Sequence, residues 1–122
     1  MSPKHGKNEK TRSHERFKPN RKIRFFLLDG SEITGIIEVN DISESGLQFT
    51  GKEFVKKGAD INVSVDAGKK GQDPVVLHTR VAWVTATTYV KGTYRVGLSF
   101  LDLKDEQKSF IREMKKRKWL FG

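Results

Sequence analysis

Tyr94-Arg95-Val96-Gly97-Leu98-Ser99-Phe100-Leu101-Asp102 decides the fold class, because the hydrophobic period changes where this stretch ends. Tyr94, Val96, Leu98 and Phe100 alternate with Arg95, Gly97 and Ser99, the signature of a strand with one buried face. Past Asp102 the spacing becomes helical: Leu103, Gln107, Phe110, Ile111 and Met114 share one stripe. Asp102 stands where a cap would, and Lys115, Lys116, Arg117 and Lys118 fall at the negative end of the helix dipole. A strand therefore hands over to a C-terminal helix starting at about residue 103.

Working outward, Ile61, Val63 and Val65 alternate with Asn62, Ser64 and Asp66 in the same way. Short β-rich segments bounded by turn residues run over 22–29, 31–40, 46–51, 60–66, 74–86 and 93–101. Asp29-Gly30 supplies the positive-φ chemistry of a tight hairpin, and Ala67-Gly68-Lys69-Lys70-Gly71 makes a looser connection, so neighbouring strands are expected to be antiparallel. Six such strands in about 80 residues make a small barrel or sandwich; closure, which leaves no exposed edge, favours the barrel. The fold class is then all-β, a six-stranded antiparallel β-barrel with a C-terminal helix whose apolar stripe covers an open barrel end.

The 122 residues fit a single domain, and the formal charge of +9 is segregated. Residues 1–24 carry nine Lys and Arg against Glu9 and Glu15, a local +7. Within residues 1–20 Phe17 is the one large apolar side chain besides Met1, so this stretch reads as a flexible basic arm ahead of a barrel over 21–120. A cationic field favours an anionic partner: nucleic acid, a nucleotide or a membrane surface. With no cysteine, disulfides, Cys-ligated zinc, iron–sulfur clusters and thiol nucleophiles are excluded, as a reducing compartment would permit. The densest apolar run, Phe25-Phe26-Leu27-Leu28, is far below the roughly 18 residues a membrane helix needs, and the charged N-terminus lacks the apolar stretch of a secretory signal. The chain thus reads as cytoplasmic, without membrane insertion.

Two short motifs carry chemistry. Arg12-Ser13-His14-Glu15-Arg16 places two guanidiniums four residues apart at the junction of arm and first strand. A basic tail produces such pairs by chance, but guanidinium is also the group that donates paired hydrogen bonds to phosphate oxygens or to guanine O6 and N7. Asp41-Ile42-Ser43-Glu44-Ser45-Gly46 lies between the second and third strands. It has the composition of a plain turn. It equally supplies a carboxylate able to accept the N1 and N2 protons of guanine, a hydroxyl from Ser43, and at Gly46 a backbone open to close approach.

In this order, with Arg16 preceding Asp41 by 25 residues and one hairpin between, the motifs resemble the RxxxR and (D/N)xSxxG signatures of the PilZ domain family, matched at every specified position. The similarity continues through Thr79-Arg80-Val81-Ala82-Trp83-Val84 and Tyr94 to Asp102 into the terminal helix, covering roughly residues 12–118. The resemblance implies a bacterial receptor for cyclic di-GMP, with the ligand held on the outer face of a six-stranded barrel beneath a folded-over arm. By position it assigns Arg12 and Arg16 to the guanine and phosphate, and Asp41, Ser43 and Gly46 to the opposite wall. Trp83 is a further candidate, since some members carry an aromatic near the ligand on that strand, although a Trp in a β-rich run also serves as core. Arg95 and Gly97 complete the candidates: alternation points them outward, where Gly97 leaves room for a base and Arg95 doubles as a solvated sheet arginine.

Phe26-Leu27-Leu28-Asp29-Gly30-Ser31-Glu32-Ile33-Thr34-Gly35 followed by Asp41 also looks like the first half of an Sm-like RNA-binding domain, but over residues 23–49 alone and with no second motif. Ser43 and Ser45 lack a G-x-S-x-G setting, and His5, His14 and His78 lack metal-ligand spacing, so neither enzyme activity nor a metal site is expected. The expected mechanism is disorder to order: the arm folds onto a dianionic ligand and creates a surface around Phe17 that an unidentified downstream protein reads. Neither a cofactor nor a specific nucleic-acid partner is implied.

Overall fold

In a computed structural model, residues 15–52, 55–68, 70–88 and 90–117 are described. Six strands, β1 (Arg24–Asp29), β2 (Glu32–Ile42), β3 (Gly46–Gly51), β4 (Asp60–Asp66), β5 (Val75–Ala86) and β6 (Tyr94–Phe100), precede one helix, α1 (Asp105–Arg117). All neighbouring strands pair antiparallel, in the closed order β1-β2-β3-β6-β5-β4 with β4 returning to β1. The expected barrel is therefore closed, with no free sheet edge. Gly30, at φ 64°, makes the β1–β2 turn that a side chain would strain.

Alternation sends Phe25, Leu27, Ile37, Val39, Leu47, Phe49, Val63, Val65, Leu77, Val81, Val96 and Leu98 into one core, joined from the helix by Ile111 and Met114. Buried Thr79 is satisfied by donating to the Ile61 carbonyl at 2.8 Å.

Two sequence expectations shift. The helix starts at Asp105 rather than 103, and Asp102 does not cap it; Asp102 adopts φ 47° in the loop before it. Gln107 takes over the terminus: its Oε1 accepts from the Lys104 amide at 2.8 Å, the reach-back half of a capping box, while its Nε2 donates to the Val76 carbonyl of β5 at 2.9 Å. A residue expected on the apolar stripe is a polar tether to the sheet. The second shift concerns the arm. Phe17, only 6% exposed, is part of the core, and its N–H and C=O both bond Ile42 at 2.9 Å. Among the described residues packing thus reaches back to Phe17 rather than to Arg21, because burying that ring offsets the cost of ordering the residues around it. Residues 1–14 of the expected arm lie outside the described residues.

Candidate functional site

On the outer face of β2, β3, β6 and β5, Asp41 stands opposite Gln48, Gln48 opposite Gly97, and Gly97 opposite Trp83. The four form one transverse row, which at ordinary strand spacing is roughly 14 Å long. The register explains why they face outward, since Ile42 pairs inward with Leu47, Phe49 with Val96, and Val81 with Leu98. Both ends of the row follow a register shift, at Val39/Asp41 and at Val81/Trp83. A bulge reverses the alternation behind it, so Asp41 and Trp83 are re-aimed to the surface.

The six positions of the Asp41–Gly46 motif divide their work. Asp41 faces out and Ile42 is core. Ser43, only 1% exposed, holds the turn: its N–H donates to the Gly46 carbonyl at 2.8 Å, its Oγ accepts from the Ser45 N–H at 3.1 Å and lies 2.9 Å from the Ser45 Oγ. Glu44 receives a two-pronged bond from Arg112 of α1 at 3.0 and 3.1 Å. That hydrogen bond raises the Arg112 pKa above its ordinary value. Gly46 is required by the sheet itself, since a Cβ there would come within 2.1 Å of the Leu98 carbonyl oxygen. The close approach anticipated at Gly46 is thus made by β6.

The two motifs meet. Arg16 Nη1 donates to Asp41 Oδ1 at 2.6 Å, and the Phe17–Ile42 bridge next door fixes which residue of the arm reaches which residue of β2. Glu15 bonds Lys115 at 2.7 Å, so an interior glutamate of each motif is tied to the same helix. Arg12 lies outside the described residues.

Trp83 is on the surface rather than in the core, 37% exposed, with its indole across Gly97: a Cβ on Gly97 would lie 2.3 Å from the indole Nε1. The room that Gly97 leaves is filled by this ring. Arg95 donates from Nη2 to Gln48 Oε1 at 3.1 Å. Gln48 was not among the residues singled out from sequence, yet its outward place between Leu47 and Phe49, two residues after Gly46, is a signal that alternation contains. In the neighbouring row Arg80 bonds Asp60 at 2.8 Å and holds that carboxyl below its ordinary range. The site thus offers an outward carboxylate, two guanidiniums, a carboxamide and an indole face around one patch. Among the described residues no group of three or more His, Cys, Asp or Glu is placed to hold a metal, and no helix is long and apolar enough to cross a membrane.

The sequence pattern that defines the PilZ domain matches residues 10–116. The chain belongs to the PilZ domain family. No curated protein matches it by sequence. Among solved structures, the PilZ domain of YcgR from Escherichia coli with c-di-GMP superposes with a TM-score of 0.60 at 14% identity, covering 88% of this chain and 95% of that one. The Bacillus subtilis inhibitor of motility MotI/DgrA gives 0.64 at 8% identity, covering 88% and 50%. PlzA of Borreliella burgdorferi, in complex with c-di-GMP, gives 0.58 at 13% identity, covering 95% and 56%. The PilZ chain spans about half the length of the last two proteins. The family match covers the barrel and the helix together, so the Sm-like alternative, confined to residues 23–49, is not favoured.

Proposed function

We propose that this PilZ domain is a receptor for cyclic di-GMP that binds its ligand on the Asp41–Gln48–Gly97–Trp83 face. The observation that carries the reading is the Arg16–Asp41 contact, which brings one charged group of each motif to one end of that face. An outward carboxylate accepts the N1 and N2 protons of guanine; the guanidinium it now holds is a donor for phosphate or for the guanine O6 and N7 edge. A ligand offering both partners replaces one ion pair by two matched contacts, and the Trp83 indole adds a flat apolar surface for a base. Two relatives of the same fold, the YcgR domain and PlzA, are in complex with c-di-GMP.

Ser43 and Gly46 act here through the turn and the β3–β6 approach, holding Asp41 in place. Arg12, from the same motif as Arg16, is assigned to the second guanine or phosphate contact. Because Phe17 is already buried, the ligand-linked change is assigned to the chain ahead of it, where Arg16 leaves Asp41 for the ligand, and the surface presented to a downstream protein forms there. The role is that of a receptor without catalysis, in the cytoplasm.

Calorimetric titration of the full chain with cyclic di-GMP gives affinity and stoichiometry together. Asp41→Ala should weaken binding about 30-fold, the equivalent of about 2 kcal/mol for one charged hydrogen-bonding group, with an unchanged melting transition. Parent-like affinity of the variant would reduce Asp41–Gly46 to a plain turn. Absence of cyclic di-GMP binding at micromolar protein, with an oligoribonucleotide bound instead at a salt slope of about 0.7 per neutralised phosphate, would establish an RNA-binding protein.

A further inference from the structure

Between its two anchor points on β2, the segment leading into β1 has more chain than the span requires. Phe17 pairs with Ile42 and Phe25 with Ile37, so a step of eight residues runs beside a step of five. A groove of about 340 Å³ lies between residues 18–24 and β2. Lys18, Arg21 and Arg24 line the side of the entering segment; Ile36 and Glu38 line the β2 side, and Ile23 contributes apolar surface. The groove is distinct from the Asp41–Trp83 row, none of whose residues line it.

Its surroundings are unusually apolar for an outer face. Ile36 is 66% exposed and Ile33, further along β2, is 60% exposed. Ile36 begins a second transverse row, Ile36–Phe26–Ser64–Val76, which crosses β2, β1, β4 and β5. Lys18, Arg21 and Arg24 form no ion pair among the described residues. Three cations against the single carboxylate of Glu38, beside exposed isoleucines, make a recess that is positive and apolar at once.

We propose that this groove docks an acidic, aliphatic segment of a partner protein. Its aliphatic side chains would cover Ile36 and Ile33 while its carboxylates meet Lys18, Arg21 and Arg24. A second copy of this chain fits poorly, since each copy carries +9 and would bring like charge to a positive groove. A bilayer surface is too flat to enter the recess, and Glu38 would face its anionic headgroups.

The test uses the full chain and a fluorescent amphipathic peptide of Glu and Leu, with a Lys/Leu peptide and a Glu/Ser peptide as controls. The Glu/Leu peptide should bind saturably and shift the backbone amides of residues 18–24 and 36–39, and both controls should bind about tenfold more weakly. Arg21→Glu and Ile36→Ser change exposed side chains, leave folding intact, and should each weaken the Glu/Leu peptide about tenfold. The proposal is overturned if no peptide binds, if Lys/Leu binds equally well, or if the shifts fall on Asp41, Gln48 and Gly97. It is overturned too if Ile36→Ser instead abolishes self-association or binding to phosphatidylglycerol vesicles, which would assign the face to a second copy or a membrane.

Discussion

The barrel presents two transverse rows built by one rule, outward residues at successive registers of four strands. Ile36–Phe26–Ser64–Val76 crosses β2, β1, β4 and β5; Asp41–Gln48–Gly97–Trp83 crosses β2, β3, β6 and β5. The first has a single bulge beside it, at Leu27/Leu28 of the β1–β2 pair; the second follows a bulge at each end and has an indole across a glycine. Period-two alternation supplies an outward face anywhere on such a sheet. Bulges, which re-aim single side chains, and glycines, which admit close neighbours, turn one of those faces into a site.

The sharpest break in the comparison comes from the two glycines that serve the second face. At Gly46 the neighbour is backbone, the Leu98 carbonyl 2.1 Å from where a Cβ would sit, and the β3–β6 ladder would have to part. Gly46→Ala should therefore lower unfolding free energy by about 3 kcal/mol, the upper part of the usual overpacking range, as read by urea denaturation. A loss under about 1 kcal/mol would mean that the ladder yields and that Gly46 is kept for another reason.

At Gly97 the neighbour is a side chain on the surface, the Trp83 indole, which has solvent to move into. Gly97→Ala should cost only about 1 kcal/mol. It should also displace the indole N–H resonance of Trp83 and weaken cyclic di-GMP about tenfold through loss of the flat platform. An unmoved indole resonance with unchanged affinity would remove Trp83 from the proposed site. One glycine then guards the fold and the other the face.

Much of this was legible in the sequence. The strand segments 46–51 and 60–66 coincide with β3 and β4, and the other four agree to within two residues at each end, because alternation and turn residues are local properties. Trp83 could not be settled that way. Leu77, Thr79 and Val81 are buried, so strict alternation carries Trp83 into the core; the bulge that reverses the phase depends on pairing with β6. Asp102 looked like a cap by residue type, but Gln107 holds that end through a β5 carbonyl distant in sequence. Phe17 looked like part of an unanchored arm because its partner, Ile42, is 25 residues away in sequence. The Arg16–Asp41 pairing was reachable only through the family's motifs, since 25 residues separate the two side chains.

The smallest expected effect separates an ion pair that merely joins strands from one placed at the site. Arg80 and Asp60 face each other across β5 and β4, in the row Gly46–Ser99–Arg80–Asp60 beside the candidate face, and both side chains are well exposed. The Arg80 hydrogen bond holds the Asp60 carboxyl below its ordinary value of 3.8. A carboxyl lowered by folding contributes stability that is present above the unfolded value and is lost as pH falls through the folded one. Asp60→Asn should therefore melt slightly below the parent at pH 5–7, and the two curves should converge in acid beneath pH 3.8. Exposure keeps the difference small, because solvent screens the pair. Cyclic di-GMP affinity should not change, in contrast to Asp41→Ala. A melting gap that persists in acid would show that Asp60 acts by something other than its charge, and a loss of ligand affinity would extend the site into this neighbouring row.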